Sequence, residues 1–176
     1  MAARQTSAHT GPEWAPCDSA TNRAAWHPLL ARFFDYWLGI HPATGGLPGR
    51  QHFDPLDIPQ VMPRLWLLDV VRGGERPRFR YRLVGTREVD TLQREVTGRW
   101  FDDVHPRLKE SPSLLERYWH IADVGCATYR TGKVLFDHKR EHALVENCIV
   151  PLAQDGVTVD ILAACSVLYA PDGRDL

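Results

Sequence analysis

The order of apolar patterns along the chain limits its possible folds more than any single motif does. Two strand-like runs, RLWLLDVV and RFRYRLVG, are followed by a helical segment and then by three further strand-like runs. A pair and a triple of strands separated by helices can share one core only by joining a single sheet with helices packed on it. The order therefore predicts an α+β fold with a five-stranded antiparallel sheet and helices over one face.

The first two runs carry the clearest local signal. They are separated by RGGERP, whose Gly-Gly pair is typical of the turn of an antiparallel hairpin. In the second run Phe79, Tyr81 and Leu83 alternate with arginines. A period of two predicts that these three side chains face the core and that the arginines face solvent.

The later strands follow a well-marked helix. Ser111 is a candidate N-cap, Pro112 suits the first helical position, and apolar residues then follow at helical spacing up to Gly125. We predict strands at about 126–136, 139–152 and 157–168, because apolar runs there are bounded by turn residues. Gln154-Asp155-Gly156 is the predicted turn between the last two strands.

The N-terminal part divides into a tail and a helix. Residues 1–22 are rich in small and polar residues without periodicity, so we predict a disordered tail. Residues 23–49 are interpreted as a flanking helix and a connector, and 50–170 as the compact domain. Four helix residues form an apolar face that must be covered, either by the chain's own sheet or by a second subunit. We predict a homodimer through them: Phe33, Phe34, Trp37 and Leu38.

The composition limits the class of protein. A hydrophobic content of 44% in 176 residues is enough for one domain core. The 21 basic and 22 acidic residues nearly balance, so we expect no nucleic-acid partner. The chain shows no signal-peptide pattern and no apolar stretch of the roughly 20 residues that span a bilayer. We therefore expect a cytoplasmic protein without membrane insertion.

Several stretches resemble one family when taken in order. They are IPQVMPRLWLLDVV, FRYRLVGT, TGRWFDDV and the strand pair ENCIVPLAQDGVTVDILAA, and they span about residues 50–168. The chain is similar to the PAS domain superfamily, and within it to the short single-domain PAS proteins of alphaproteobacteria. The resemblance implies a five-stranded antiparallel sheet, a helical face enclosing a small pocket, and a role in signalling. It implies no catalytic residue and names no cofactor or ligand.

A pocket of this kind would lie on the inward face of the sheet. Aromatic, apolar and thiol side chains on the predicted strands and helices are the candidates for its wall, with a filled core as the alternative. We name as pocket candidates Trp66, Phe79, Tyr81, Leu83, Trp100, Trp119, Tyr129, Cys148 and Cys165.

Metal and haem sites are not predicted. His138 and His142 are four residues apart, but on a strand this spacing separates them by about 13 Å, too far for one metal ion. A lone histidine such as His27, His41 or His120 is more often packed than bound to haem iron. The four cysteines form no C-x-x-C pair and are interpreted as reduced thiols.

The sequence favours a sensory function over catalysis. No nucleophile or second carboxylate motif accompanies Asp102, Asp103 or His105, so we predict no catalytic residues. We expect a stand-alone sensory module that binds a small molecule or a partner protein, with its output on another chain. The alternatives are a small enzyme using Asp102 or His105, a carrier of apolar ligands, and a ligand-free interaction module. The second strand and the residues after it carry a basic stripe that either meets an acidic partner or, as is more usual, is simply solvated: Arg78, Arg80, Arg82 and Arg87.

Overall fold

The computed structural model describes residues 14–134 and 144–176. These residues form one mixed α+β unit with strands and helices in the predicted order. The strands are β1 (Trp14–Cys17), β2 (Leu65–Val71), β3 (Arg78–Val84), β4 (Ala127–Lys133), β5 (Leu144–Leu152) and β6 (Ile161–Tyr169). The helices are α1 (Pro28–Gly39), α2 (Thr86–Leu92), α3 (Phe101–Val104) and α4 (Pro112–Val124), with 3-10 turns at Pro55–Asp57, Met62–Arg64 and Pro106–Glu110.

All six strands belong to one sheet in the order β1-β4-β5-β6-β2-β3, and every neighbouring pair is antiparallel. The central strands β5 and β6 consist largely of apolar residues because both faces of the sheet are covered. The turn between them contains Gly156 at φ +78°, a conformation that suits glycine, and the Asp155 carboxylate accepts hydrogen bonds from the Val157 and Thr158 amides. The predicted turn is therefore present.

One face of the sheet, called here the α1 face, packs against the N-terminal helix. It carries alternate residues of the inner strands, including Leu65 and Leu67 of β2 and Val167 of β6. Leu30, Phe33 and Phe34 of α1 are fully buried against it. Trp37 anchors the helix further, because its Nε1 donates a 2.9 Å hydrogen bond to the Pro151 carbonyl oxygen of β5.

The opposite face, called here the cavity face, packs against α2, α3 and α4. Its residues include Trp66, Leu68, Ile149, Leu162 and Ala164, one position out of phase with those of the α1 face. Helix α4 begins at Pro112, as predicted, although the Ser111 side chain makes no capping hydrogen bond. It ends at Gly125, whose left-handed φ of 72° terminates the helix.

A bulge reverses the side-chain alternation in β3. Leu68 of β2 pairs with Tyr81, whereas Leu67 pairs with Leu83, so one residue of β3 is skipped between the two pairs. An extra residue in one strand moves every later side chain to the other face. Tyr81 therefore lies on the cavity face, and Leu83 lies on the α1 face, contrary to the simple period of two.

The structure confirms the α+β class and the five antiparallel strands predicted from the sequence, and it adds β1. This strand falls within the predicted tail, where Trp14–Cys17 pair with β4. Its composition conceals it, because only four residues pair and the strand contains a proline. Two predicted parts lie outside the described residues. They are residues 1–13 of the predicted tail and residues 135–143, where the predicted strand 126–136 ends and the predicted strand 139–152 begins.

Candidate functional site

A cavity of about 60 Å³ lies between the cavity face and helices α2–α4. Part of its wall is apolar and part is polar. The wall consists of Trp66, Tyr81, Glu88, Leu92, Phe101, His105, Leu108, Leu114, Arg117, Tyr118, Arg130, Val145, Asn147 and Ser166. Because a single water needs roughly 10–15 Å³ by this measure, the cavity has room for about four to six waters.

Four aromatic rings form the apolar part of the wall. Trp66 and Tyr81 project from the sheet, and Phe101 and Tyr118 project from the helices. Phe101 joins the two layers, with its ring centroid 6.3 Å from that of Trp66, 5.6 Å from Tyr81 and 4.8 Å from Tyr118. The indole N–H of Trp66 donates to Ser166 Oγ at 2.9 Å, so this buried donor is satisfied within the sheet.

A buried tyrosine–histidine pair lies beside these rings. The Tyr81 hydroxyl and His105 Nε2 share a hydrogen bond of 2.7 Å, and both residues are at most 8% exposed. Burial raises the pKa of Tyr81 well above its usual value, so the phenol stays protonated at neutral pH. The pair therefore presents polar atoms to the cavity without a phenolate charge.

Arg117 of α4 brings a positive charge to the cavity. It is 1% exposed, and its guanidinium donates four hydrogen bonds to Thr128 and Asn147 on the neighbouring strands. Burial, the largest cause, and the charge of Arg130 together lower the pKa of Arg117 to about 10. The guanidinium nevertheless remains protonated at neutral pH.

Glu88 of α2 is the acidic group of the wall. It is 6% exposed, and burial raises its pKa to about 8, an effect that the charge of Arg64 partly offsets. The carboxyl group is therefore mostly protonated at neutral pH, and it can both donate and accept hydrogen bonds. Arg64 itself pairs with Asp175 near the C-terminus at 2.6 Å.

The structure brings two of the nine predicted pocket residues to the cavity, Trp66 and Tyr81. Phe79 packs in the same apolar cluster but does not line the cavity. Trp119 lies at the margin of this cluster, where its Nε1 donates to the Pro77 carbonyl oxygen. Trp100 stands at the edge of the sheet, with the Arg78 guanidinium 4.2 Å from its ring centroid.

The other four pocket candidates pack on the α1 face. The β3 bulge places Leu83 there, and strand alternation places Cys148 and its cross-strand partner Cys165 there. Tyr129 pairs with Cys148 across β4 and β5, and its ring stacks on Trp26 at a centroid distance of 4.2 Å. These four residues lie across the sheet from the cavity.

The residues proposed for a dimer are mostly covered within the chain. Phe33 and Phe34 are fully buried and Trp37 is 5% exposed, while Leu38 is partly buried beside them. The α1 helix thus takes the first of the two arrangements considered, in which it folds over its own sheet. A homodimer is no longer needed to cover this apolar face.

The polar wall residues were missed, although the sequence contains a signal for two of them. Arg117 occupies the buried face of α4, three residues after Leu114 and four before Ile121. Glu88 shares the buried side of α2 with Leu92, four residues later. A charged residue at an apolar helical position indicates a buried polar site. Arg130, Asn147 and Ser166 are recognised only from the strand register, which pairs Asn147 with each of the other two.

The polar residues that the sequence offered for catalysis or metal binding do not lie together in the structure. Asp102 lies at the surface, where Arg78 donates two hydrogen bonds to its carboxylate, whereas His105 is buried in the cavity wall. No group of three or more potential metal ligands occurs among residues 14–134 and 144–176. The pair His138 and His142 lies outside the described residues.

The three lone histidines have ordinary contacts. His27 caps α1 by accepting from the Leu29 amide, and His41 hydrogen-bonds the Trp37 carbonyl oxygen. The ring of His120 lies 5.2 Å from that of Trp14. Within the described ranges, none of the helices has the length and apolar character that crossing a bilayer requires.

Comparison with known proteins agrees with the fold. A family model described as PAS domain matches residues 25–163, which is most of the chain. The chain belongs to the PAS domain family. The match begins before α1, so this helix lies inside the region that the family model describes. Comparison with curated proteins gave no match.

Proposed function

We propose that this chain is a sensory module that binds a small molecule in the cavity between the sheet and α2–α4. The observation that carries the proposal is the mixed wall of the cavity, which combines aromatic rings with buried polar groups. Ligand sites are concave, mostly apolar and equipped with a few converging polar groups. A wall holding Glu88, His105 and Arg117 beside four aromatic rings has this character.

Membership in the PAS domain family supports a role in signalling. A ligand acts as a signal only if it binds one conformation of the protein better than another. The helices that cover the cavity are short, since α2 has seven residues and α3 has four. Short helices contribute little intrinsic stability, so their position depends on what they pack against. Filling the cavity is expected to shift these helices and the surface that they present.

A series of polar and charged groups connects the cavity with the protein surface. Glu88 lies close enough to Arg64 for the arginine to lower its pKa. Arg64 pairs with Asp175, and Asp175 also contacts His27 Nε2 at 3.2 Å. His27 caps α1, so the cavity, the C-terminal segment and the start of α1 share one polar network. We propose that a partner protein reads the state of the cavity at this surface.

The exposed arginines of β3 are a weaker candidate for the partner surface. Arg80 and Arg82 both pair with Asp69, and Arg78 pairs with Asp102. Their charges are thus partly balanced within the chain, which reduces their attraction for an acidic partner. A homodimer through α1 remains a prediction, and it would have to use the residues of the helix that the sheet leaves exposed, such as Arg32 and Asp35.

The proposal is tested by filling the cavity. Val145 is buried in the cavity wall on β5, and the substitution Val145→Phe adds an aromatic ring that would occupy part of the cavity. Aromatic residues suit strands, although the added bulk is expected to cost about 1–3 kcal/mol of stability. A matched control is Val157→Phe, because Val157 is 80% exposed in the turn before β6. Thermal unfolding would be followed with a chemically diverse set of small molecules.

We expect at least one compound to raise the unfolding temperature of the unmodified protein and of Val157→Phe, as ligand binding to the native state must. The same compound should leave Val145→Phe unchanged. Equal stabilisation of all three proteins would place binding outside the cavity. A complete absence of stabilising compounds would favour the alternative of a ligand-free interaction module.

A further inference from the structure

Arg117 is a buried cation that no described neighbour neutralises. Its hydrogen-bond acceptors are the Thr128 hydroxyl, the Asn147 side-chain oxygen and the carbonyl oxygens of the same two residues, at 2.6–3.4 Å. All four acceptors are neutral. In the part of the chain that the structure describes, no carboxylate forms an ion pair or a hydrogen bond with Arg117.

A buried charge without a counter-ion is unfavourable, and proteins usually pair or ligate such a group. The neutral acceptors occupy four of the five guanidinium N–H groups. One N–H on Nη1 is left, and the side chain forms part of the cavity wall. The cavity is therefore the place where a counter-ion can reach Arg117.

The acidic residue of the wall leaves the charge of Arg117 unbalanced. Glu88 lines the same cavity, but the arginine that influences the pKa of its carboxyl group is Arg64. Burial keeps Glu88 largely protonated below about pH 8. An anion in the cavity would therefore meet Arg117 without a negative charge on the acidic wall residue.

The volume of the cavity and its apolar wall residues limit the class of anion that it can bind. Room for about four to six waters corresponds to a ligand with a similar number of non-hydrogen atoms. The cavity is lined by four aliphatic residues besides the aromatic rings: Leu92, Leu108, Leu114 and Val145. Much of the wall therefore suits the carbon atoms of a ligand better than its charged oxygen atoms. A phosphate or sulfate ion would leave these apolar groups against charged oxygens.

We propose that the cavity binds a short monocarboxylate, between acetate and pyruvate in size, whose carboxylate pairs with the free N–H of Arg117. This inference rests on the proposed function, since it names the ligand class of the same cavity. The carboxylate supplies the missing counter-ion, and the short carbon chain lies against the apolar wall. Asn147 holds the guanidinium in place from the sheet side.

The test compares a carboxylate with its neutral analogue. The protein, freed of carboxylate buffers, is titrated with sodium propionate and with propionamide while backbone amide NMR shifts are followed. We expect propionate to bind at least tenfold more tightly, with saturable shifts at cavity residues such as Tyr81 and Asn147. Sodium chloride at equal ionic strength should not reproduce these shifts.

Substitution of the arginine provides the second readout. Arg117→Met keeps much of the side-chain volume without the charge, and Arg32→Met on the exposed side of α1 is the matched control. Arg117→Met should lose the tenfold preference for propionate, and Arg32→Met should retain it. If Arg117→Met does not fold, the comparison of propionate with propionamide in the unmodified protein still shows whether the cavity requires a carboxylate.

The outcomes separate this inference from the broader proposal. Equal binding of propionate and propionamide in the cavity would overturn the monocarboxylate assignment and leave a small-molecule sensor intact. Failure of acetate, propionate and pyruvate to bind would also overturn it, while the cavity-filling experiment tests the sensor independently. A preference for propionate that survives in Arg117→Met would overturn the role of Arg117.

Discussion

Glu88 shows how burial changes the chemistry of a single residue in this protein. Its carboxyl group lies in the cavity wall, and burial raises its pKa from the usual 4.5 to about 8. Arg64 acts in the opposite direction, and the other titratable groups that interact with Glu88 are Tyr81, Tyr118 and Cys165. The folded state therefore retains a proton that the unfolded chain loses in mildly acidic solution.

This difference predicts a pH-dependent stability. A raised pKa in the folded state gives a contribution that is fully present below about pH 4.5 and is lost as the pH rises to about 8. The substitution Glu88→Gln removes the titration while keeping the size of the side chain. We expect its free energy of unfolding at pH 8.5 to exceed that of the unmodified protein by roughly 3–5 kcal/mol.

Urea unfolding of both proteins between pH 5 and 8.5 measures this effect, and the two should differ little at the acidic end. Glu75→Gln is a suitable control, because Glu75 is an exposed residue of the turn between β2 and β3. Parallel curves for Glu88→Gln and the unmodified protein across the whole range would mean that Glu88 does not keep its proton in the fold.

Individual site residues differed in how well the sequence predicted them. Trp66 and Tyr81 were identified because large apolar side chains on predicted strands are expected to be buried. Arg117 was missed because charged residues are normally placed on the exposed side of a helix, although its spacing from Leu114 and Ile121 indicates burial. Asn147 and Ser166 depend on strand register, which is a long-range property that local pattern does not reveal.

The elements themselves were better predicted than the faces that they present. Strong alternation and turn residues located β2, β3 and the turn before β6 within a few residues. The bulge in β3 was not visible, and it alone moved Leu83 across the sheet. Strand β1 was hidden because its pairing with β4 comes from a distant segment and not from its own composition.

Helix α1 offers the sharpest test at the level of elements. Phe33 is fully buried between α1 and the sheet, and its ring contacts Phe53 edge-on at a centroid distance of 6.3 Å. Phe33→Ala should lower the free energy of unfolding by about 3–5 kcal/mol, as for other buried phenylalanines. Arg32→Ala, one residue earlier and exposed, should change it by less than about 0.5 kcal/mol.

Urea unfolding combined with sedimentation analysis distinguishes the two possible roles of α1. Packing within the chain predicts a loss of stability that does not depend on protein concentration. If Phe33→Ala instead weakened self-association and left the stability of the monomer nearly unchanged, α1 would be a dimer helix and its packing on the sheet would be wrong.

The molecule as a whole is a sheet with two different coverings. The α1 face is closed by aromatic and aliphatic packing, whereas the cavity face leaves a polar space beneath short helices. The polar network through Arg64, Asp175 and His27 joins the two sides near the chain ends. This asymmetry suits a sensory domain. The packing of the α1 face provides stability, and the cavity face has room for its helices to move when a ligand binds.

The most direct test of the central claim maps where small molecules bind. The backbone amide NMR spectrum of the unmodified protein would be recorded during titration with the low-molecular-weight fraction of the source cells, and the same titration would be made with Val145→Phe. We predict saturable shifts at residues around the cavity, such as Tyr81, Leu92 and Ser166, that are absent in Val145→Phe. No saturable shifts, or shifts confined to exposed residues and equal in both proteins, would contradict a ligand-binding cavity.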